Sequence, residues 1–285
     1  MKAPSFAYVK PRSLPEVLEA LAQHGDAAKL LAGGQSLVAT LNMRLSAPEI
    51  LVDLTGIESL KGITTQDNKI RIGALTTHRA IEHSAEIKKH LPLLAQAAPH
   101  IAHVAIRNAG TFGGSLALAD PAAEWPACCL ALDAEIVIAG KKGERRVKAR
   151  EFYRGLYETA LKKGEVLVAV EIPIPAAGTK SVFLELARRQ GDYALAGVAA
   201  LAKHSGGKLS DVRLAFLGAG PTAILAKKAM AAAEGKKPDA ATVQAVQKQL
   251  GEELSPTDSV DTSAAAKMHL ARVLCGRALA ALAQE

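Results

Sequence analysis

Aromatic residues are scarce in this chain: Phe, Tyr and Trp make up 4% of 285 residues, and there is a single Trp. Its cores must therefore be aliphatic and small. Few rings are left for the stacking platforms that hold single-stranded nucleic acid. Cysteine is scarcer still, with three residues, Cys128, Cys129 and Cys275. None forms a C-x-x-C pair, which argues against a zinc ribbon or an all-cysteine iron–sulfur cluster within the chain. The odd, sparse count fits a reducing compartment, and a cytoplasmic protein is expected. No apolar run approaches the ~20 residues of a membrane-spanning helix. "MKAPSFAYVKPRS" at the start has no apolar stretch of the signal-peptide kind.

Charge leans basic, at +7. The basic pairs, such as Lys141–Lys142, Arg145–Arg146 and Lys227–Lys228, are short and lack interleaved aromatics. They read as a solvated or partner-docking surface, not as a nucleic-acid interface. His100 and His103 are spaced to share a helix face, but without nearby carboxylates or thiolates they make a poor metal site. Cys128 and Cys129 follow Pro126 in an apolar run and read as buried core.

Glycine is present in two pointed places. "LLAGGQSL" (Leu30, Leu31, Ala32, Gly33, Gly34, Gln35, Ser36, Leu37) follows a short apolar strand and precedes a helix predicted over Ser36–Met43. "GTFGGS" (Gly110, Thr111, Phe112, Gly113, Gly114, Ser115) sits in a stretch, Ile106–Pro126, with no sustained period. Paired glycines beside a hydroxyl let backbone N–H groups approach a pyrophosphate closely. A plain strand-to-helix turn has the same composition. Two such loops in one chain could grip one pyrophosphate from both sides. "GAGP" (Gly218–Pro221) lacks the third glycine of a dinucleotide fingerprint and reads as a turn.

Around these loops the pattern predicts a helix over Ser13–His24, opened by the Ser13/Glu16 capping box and closed by Gly25. Strands are predicted over "AKLLAGG", Glu49–Leu54, the run from Lys69, Glu135–Ala139 and Val166–Ile172. One helix is predicted over His90–His103. "IPIPAAGTK" (Ile172–Lys180) reads as a linker. Beyond it come three predicted strands (Val182–Arg188, Ala194–Lys203, Val212–Leu217) and three helices (Thr222–Glu234, Ala240–Leu250, Ser263–Ala283). Strands followed by helices indicate an α+β module.

"LLAGGQSLVATLNMRLSAPEILVDL", "IRNAGTFGGSLALADPAAEWP", "LVAVEIP" and "FLELARRQGDYALAGVAAL", in this order, resemble the FAD-binding medium subunit of the molybdenum hydroxylases. That family includes carbon monoxide dehydrogenase and xanthine dehydrogenase. The resemblance implies an α+β chain with a two-subdomain FAD-binding fold of the vanillyl-alcohol-oxidase (PCMH) type. The FAD-binding domain would span residues 1–176, with subdomains of about 1–56 and 57–176, and a small C-terminal domain would span 177–285. Carried over residue by residue, Leu30–Leu37 would line the pyrophosphate and ribityl chain, and Gly110–Ser115 would complete the cradle. Ile101 and Ile106 would contact the cofactor, Glu124 would bind the adenosine end, Leu167 would lie near the adenine and Tyr193 beside the isoalloxazine. Asp120 would either cap a turn or touch the ribityl chain. Arg107 and Asn108 would frame the flavin loop. Glu185 stands where the family commonly carries a lysine, and Ala109 where a longer residue is frequent.

The same resemblance implies an FAD-containing electron-transfer subunit. Its partners would be a molybdopterin-containing large subunit and a [2Fe-2S] small subunit, assembled as a dimer of heterotrimers. A self-sufficient FAD oxidoreductase and a non-enzymatic nucleotide-binding assembly protein are the alternatives.

Overall fold

A computed structural model describes residues 2–284. Its N-terminal unit is a parallel three-stranded sheet, with Ile50–Asp53 between Ala7–Val9 and Ala28–Leu31. The central strand is buried along its whole length, so "ILVD" shows no alternation. The helix Leu14–His24 connects two of the strands. The Ser13 hydroxyl caps it at Glu16 N, Glu16 returns a bond to Arg12 N at 2.9 Å, and Gly25 ends it at φ 55°. The capping box and glycine stop are as the sequence predicts, with Arg12 rather than Ser13 taking the return bond.

An antiparallel five-stranded sheet follows. Its strands, in spatial order, are Ile63–Gln66, Lys69–Gly73, Val166–Pro173, Glu135–Gly140 and Gly143–Lys148. Val137, Ala139, Val166 and Val168 turn one face toward the N-terminal sheet. Ile70, Ile72, Ile136, Ile138 and Val170 turn the other toward a layer of short helices. The side-chain period of two separates the faces.

That helical layer departs from expectation. A single helix over His90–His103 is not formed. Ala85–His90 and Pro92–Ala97 are separate helices, a 3-10 turn covers Ala98–His100, and a further helix spans Val104–Ala109. Proline explains the break: Leu91, before Pro92, takes φ −133° and leaves the helical region. Ile106–Pro126, which reads as irregular, contains the helix Phe112–Leu118 and the start of the helix Glu124–Ala131. All eight residues of Glu124–Ala131 are buried. A helix covered on every side has no polar face, so "EWPACCLA" carries no amphipathic signal.

The C-terminal unit is an antiparallel four-stranded sheet: Thr179–Ala187, Ala194–Ser205, Lys208–Leu217 and Ile224–Leu225. Ile224 pairs with Phe216, so the expected helix from Thr222 begins instead at Lys227. The helices Lys227–Ala233, Ala240–Glu253 and Ala264–Ala283 cover one face through Val198, Leu214, Phe216, Leu274 and Leu279. Phe183, Leu201 and Leu217 on the other face share a core with Trp125 and Leu130. The buried helix Glu124–Ala131 thus packs against the C-terminal sheet.

One of the basic pairs, Arg145–Arg146, is used internally. Arg145 binds Glu165 at 2.6 Å and Arg146 binds Glu171 at 2.9 Å. The three cysteines are free and buried, as their setting implies. No helix among the described residues is long and apolar enough to cross a membrane.

Candidate functional site

The first glycine loop emerges from the end of strand Ala28–Leu31 and runs directly into the helix Leu37–Asn42. Ser36 precedes that helix in αR geometry, and its side chain makes no capping bond. Gly34 needs its freedom, with φ 70°. Among the described residues, no acceptor in the chain takes the backbone N–H groups of Gly33, Gly34, Gln35 or Ser36. The Gln35 side chain folds back to donate to the Gly33 carbonyl at 2.9 Å. Four consecutive free donors and a free hydroxyl are the groups from which an anion-binding site is built.

The second loop differs. Thr111 caps the helix Phe112–Leu118, its hydroxyl accepting from Gly114 N at 3.1 Å. Gly110 N donates to Ile106 O, Phe112 N to Thr76 O, Gly113 N to Ala74 O and Ser115 N to Thr111 O. These donors hold the loop against its own fold, so the expectation that both loops offer a row of N–H groups is corrected. Its glycines answer to packing. A Cβ on Gly113 would lie 2.5 Å from the Ala74 Cβ, and one on Gly110 2.7 Å from His78 Nε2.

The two loops abut. A Cβ on Gly33 would lie 2.8 Å from the Gly110 Cα and closer still to the Ala109 carbonyl oxygen. A Cβ on Gly114 would come 3.8 Å from that of Ala32. The structure therefore brings Ala32, Gly33, Gly110 and Gly114 together.

His78 stands behind this junction, 5% exposed. Its Nδ1 accepts from Trp125 Nε1 at 2.9 Å, which places the ring proton on Nε2. Burial, then the nearby Arg107 charge, lowers its pKa to about 4, so it is neutral. Neither His78 nor Trp125 stands out in the sequence, because each is a lone residue whose partner is distant along the chain.

Arg107 pairs with Glu82 at 2.9 Å. It also donates to the carbonyls of Ile101 and Ala102, each at 3.0 Å. It therefore fixes the segment before its helix, where Ala102 takes φ 42°, and not the glycine loop after it. Ile101 is held in place, 8% exposed, and Ile106 is half-buried. Leu167 lies 5% exposed in the main core, at a register shift in its strand.

Asp120 and Glu124 stand beyond the helix Phe112–Leu118. Asp120 caps a turn, its Oδ1 accepting from Ala122 N at 2.9 Å. Its Oδ2 meets the Tyr157 hydroxyl at 3.4 Å. Tyr157, which the sequence does not mark, occupies a hairpin tip at φ 58° and is 56% exposed. Tyr193 is 70% exposed. Partial shielding of its phenol, then the charges of Asp120, Glu124 and Asp192, raises its pKa above the ordinary value. Glu124, 9% exposed, is pushed up to about 7 by burial and by Asp120, against the pull of its own backbone N–H.

Residues 4–175 match the family described as "FAD binding domain in molybdopterin dehydrogenase", and residues 181–282 the "CO dehydrogenase flavoprotein C-terminal domain". The chain belongs to this flavoprotein family. The alpha subunit of the 6-hydroxypseudooxynicotine dehydrogenase complex of Paenarthrobacter nicotinovorans is 44% identical, over 80% of this chain and 78% of that one. The carbon monoxide dehydrogenase medium chain of Hydrogenophaga pseudoflava is 39% identical, over 79% and 78%. A solved carbon monoxide dehydrogenase structure from H. pseudoflava superposes at TM-score 0.96 with 38% identity, covering 99% of this chain and 98% of its own. Quinoline 2-oxidoreductase of Pseudomonas putida 86 superposes at 0.94 with 39% identity, covering 100% and 99%. The expected α+β class, FAD-binding fold and C-terminal sheet-and-helix unit are those of this family.

FAD is the family's cofactor, and the residues present fit it. The free donors of Gly33–Ser36 suit a pyrophosphate, and the exposed Tyr193 ring suits an aromatic heterocycle.

Proposed function

We propose that this chain is the FAD-bearing electron-transfer subunit of a molybdenum hydroxylase. It works beside a molybdopterin-containing large subunit and a [2Fe-2S] small subunit in a dimer of heterotrimers, in the reducing setting of the cytoplasm. The observation that carries the reading is the free N–H row of Gly33–Ser36, in a chain whose fold follows that of carbon monoxide dehydrogenase from end to end. Bound FAD would supply the exchange between one-electron delivery by iron–sulfur clusters and two-electron delivery to an external acceptor.

The chain's own part is binding and orientation. Backbone donors at Gly33–Ser36 would hold the pyrophosphate, braced from behind by the second loop through Ala109 and Gly110. Glu124 would serve the adenosine end. Tyr193 would stack on the isoalloxazine and exclude water from it. Arg107 holds Ile101 where it would contact the cofactor. Among the described residues no group of three or more His, Cys, Asp or Glu could hold a metal ion. The molybdenum and iron–sulfur ligands are therefore assigned to the partners.

Substrate assays test this division of labour. The chain loaded with FAD should hydroxylate neither purines nor aldehydes and should not oxidise carbon monoxide, yet should pass electrons from reduced flavin to artificial acceptors. Hydroxylation by the isolated chain would overturn the subunit assignment. Replacing Tyr193 by Ala should weaken FAD binding by about 1–3 kcal/mol, roughly 5- to 150-fold, through lost stacking and apolar contact. Bound-flavin fluorescence should rise, because the stacked phenol no longer quenches it. A Tyr193→Ala protein with native affinity and native fluorescence would place the ring elsewhere.

A further inference from the structure

Tyr193 stands at the end of the turn that joins the strands Thr179–Ala187 and Ala194–Ser205. Backbone bonds hold little of this turn. Asp192 N donates to Arg189 O at 3.1 Å, and Asp192 Oδ1 accepts from Tyr193 N at 3.0 Å. The other carboxylate oxygen, Oδ2, is buried and accepts no hydrogen bond among the described residues. Its compensation is ionic: Arg188 Nη2 lies 3.3 Å away and Arg189 Nε 3.7 Å. The second arm of Arg188 reaches out of the turn, where Nη1 donates to Asp261. Asp261 belongs to a separate turn, closed by Ser259 N on Thr262 O at 2.9 Å. Asp258 ties that turn to the last helix by accepting from Ala264 N at 2.6 Å. One planar guanidinium thus joins an anchored turn to the carboxylate that holds the Tyr193 backbone.

The Tyr193 turn also rests on the FAD-binding domain. Gly191, at φ 80°, passes so close to His103 that a Cβ on it would lie 2.6 Å from the ring's Nδ1 and Cε1. The same Cβ would lie 3.1 Å from the Ala102 carbonyl oxygen, in the corner that Arg107 fixes. The turn therefore has a seat at Ala102–His103 and a latch at Asp261. The Tyr193 ring itself is 70% exposed, so the backbone that carries it decides where it stands.

We propose that Arg188 is a positioning residue for Tyr193: by bridging Asp192 and Asp261 it holds the turn in the place from which the Tyr193 ring covers the flavin. This rests on the reading of the chain as an FAD-binding subunit with Tyr193 beside the isoalloxazine.

The two ends of the bridge act differently. Arg188 and Asp261 are each about half exposed, so their attraction is modest and salt screens it. Asp192 is 19% exposed, and the loss of Arg188 would leave its buried oxygen with Arg189 alone, at the longer distance. A buried carboxylate oxygen without compensation draws in water, and the turn must lift to admit it. Both effects move Tyr193 without altering its side chain.

The test uses the FAD-loaded full chain. Arg188→Gln should weaken FAD binding about two- to fivefold, the scale of an exposed ion pair. It should also raise the emission of bound flavin and open the ring to iodide quenching. Asp261→Asn should act in the same direction and more weakly, because Asp192 keeps both arginines. Native emission should rise from about 0.01 M to about 1 M salt, as the screening length falls from about 30 Å to about 3 Å, and Arg188→Gln should flatten that response. In a Tyr193→Ala background, Arg188→Gln should change neither emission nor affinity further, which separates positioning of the ring from a direct contact of Arg188 with FAD. Native emission and salt response in Arg188→Gln, or an undiminished effect of Arg188→Gln in the Tyr193→Ala background, would overturn the proposal. A native chain that binds no FAD would instead refute the flavin reading, and the role of Arg188 with it.

Discussion

Replacing Gly33 by Ala should cost the protein both its flavin and a measurable part of its stability. The added Cβ would run into the Ala109 carbonyl and lie 2.8 Å from the Gly110 Cα, all of it backbone that no rotamer change can move aside. The loops would have to part. Overpacking of this kind costs roughly 1–3 kcal/mol, and backbone on both sides places it at or above the upper end. For a chain of this size that lowers the melting temperature by about 5 °C or more. Parted loops also lose the alignment of the Gly33–Ser36 donors, so FAD affinity should fall steeply in the same variant. Ser36→Ala makes the contrast. Its hydroxyl has no partner in the chain, so stability should hold while FAD affinity drops. Thermal melts with and without FAD, beside flavin titrations, separate the two effects. A Gly33→Ala protein that melts and binds FAD like the native chain would mean the loops do not meet as described.

The second large effect lies on the acid side. His78 is neutral in the fold, with a pKa lowered to about 4 by burial and by Arg107. An unfolded chain would protonate it near 6.5. A group whose folded pKa is depressed contributes stability that is present above its unfolded pKa and lost as pH falls through the folded one. The window is therefore pH 6.5 down to about 4. The size, from the same shift, is about 3 kcal/mol. His78→Asn keeps an acceptor for the Trp125 N–H and cannot charge. It should be less stable than the native chain at neutral pH, because the ring is gone, but that deficit should shrink or reverse by pH about 4. Denaturant midpoints across the window read the difference, and a constant gap between the two proteins would contradict a buried neutral His78.

Much of the fold is legible in the chain. The Ser13/Glu16 cap, the glycine stop at Gly25, the apolar run of Ile50–Asp53 and the three longer strands of the C-terminal unit each carry a local signal that tertiary packing does not override. The failures share a cause. Period betrays a helix only when one face is wet, and the helix Glu124–Ala131 has none. The run from His78 to Ala109 breaks into short helices whose stops are prolines and extended residues, too brief for a period of 3.6 to register. At the site, sequence marks both glycine loops but not the difference between them. Composition cannot tell a glycine that frees a donor from one that admits a neighbour. Gly34 belongs to the first kind, Gly113 to the second and Gly33 to both. Tyr157 and His78 escape notice for another reason: their partners, Asp120 and Trp125, meet them only through the fold.

The central claim is that one FAD sits on the Gly33–Ser36 donors with its ring against Tyr193. Titration of FAD into the purified, flavin-free chain, followed by flavin fluorescence, tests it most directly. The account predicts noncovalent binding that saturates at one FAD per chain with quenched emission, and full recovery of free flavin on acid precipitation. No binding at micromolar concentration, or saturation with emission unquenched and unchanged by Tyr193→Ala, would contradict it.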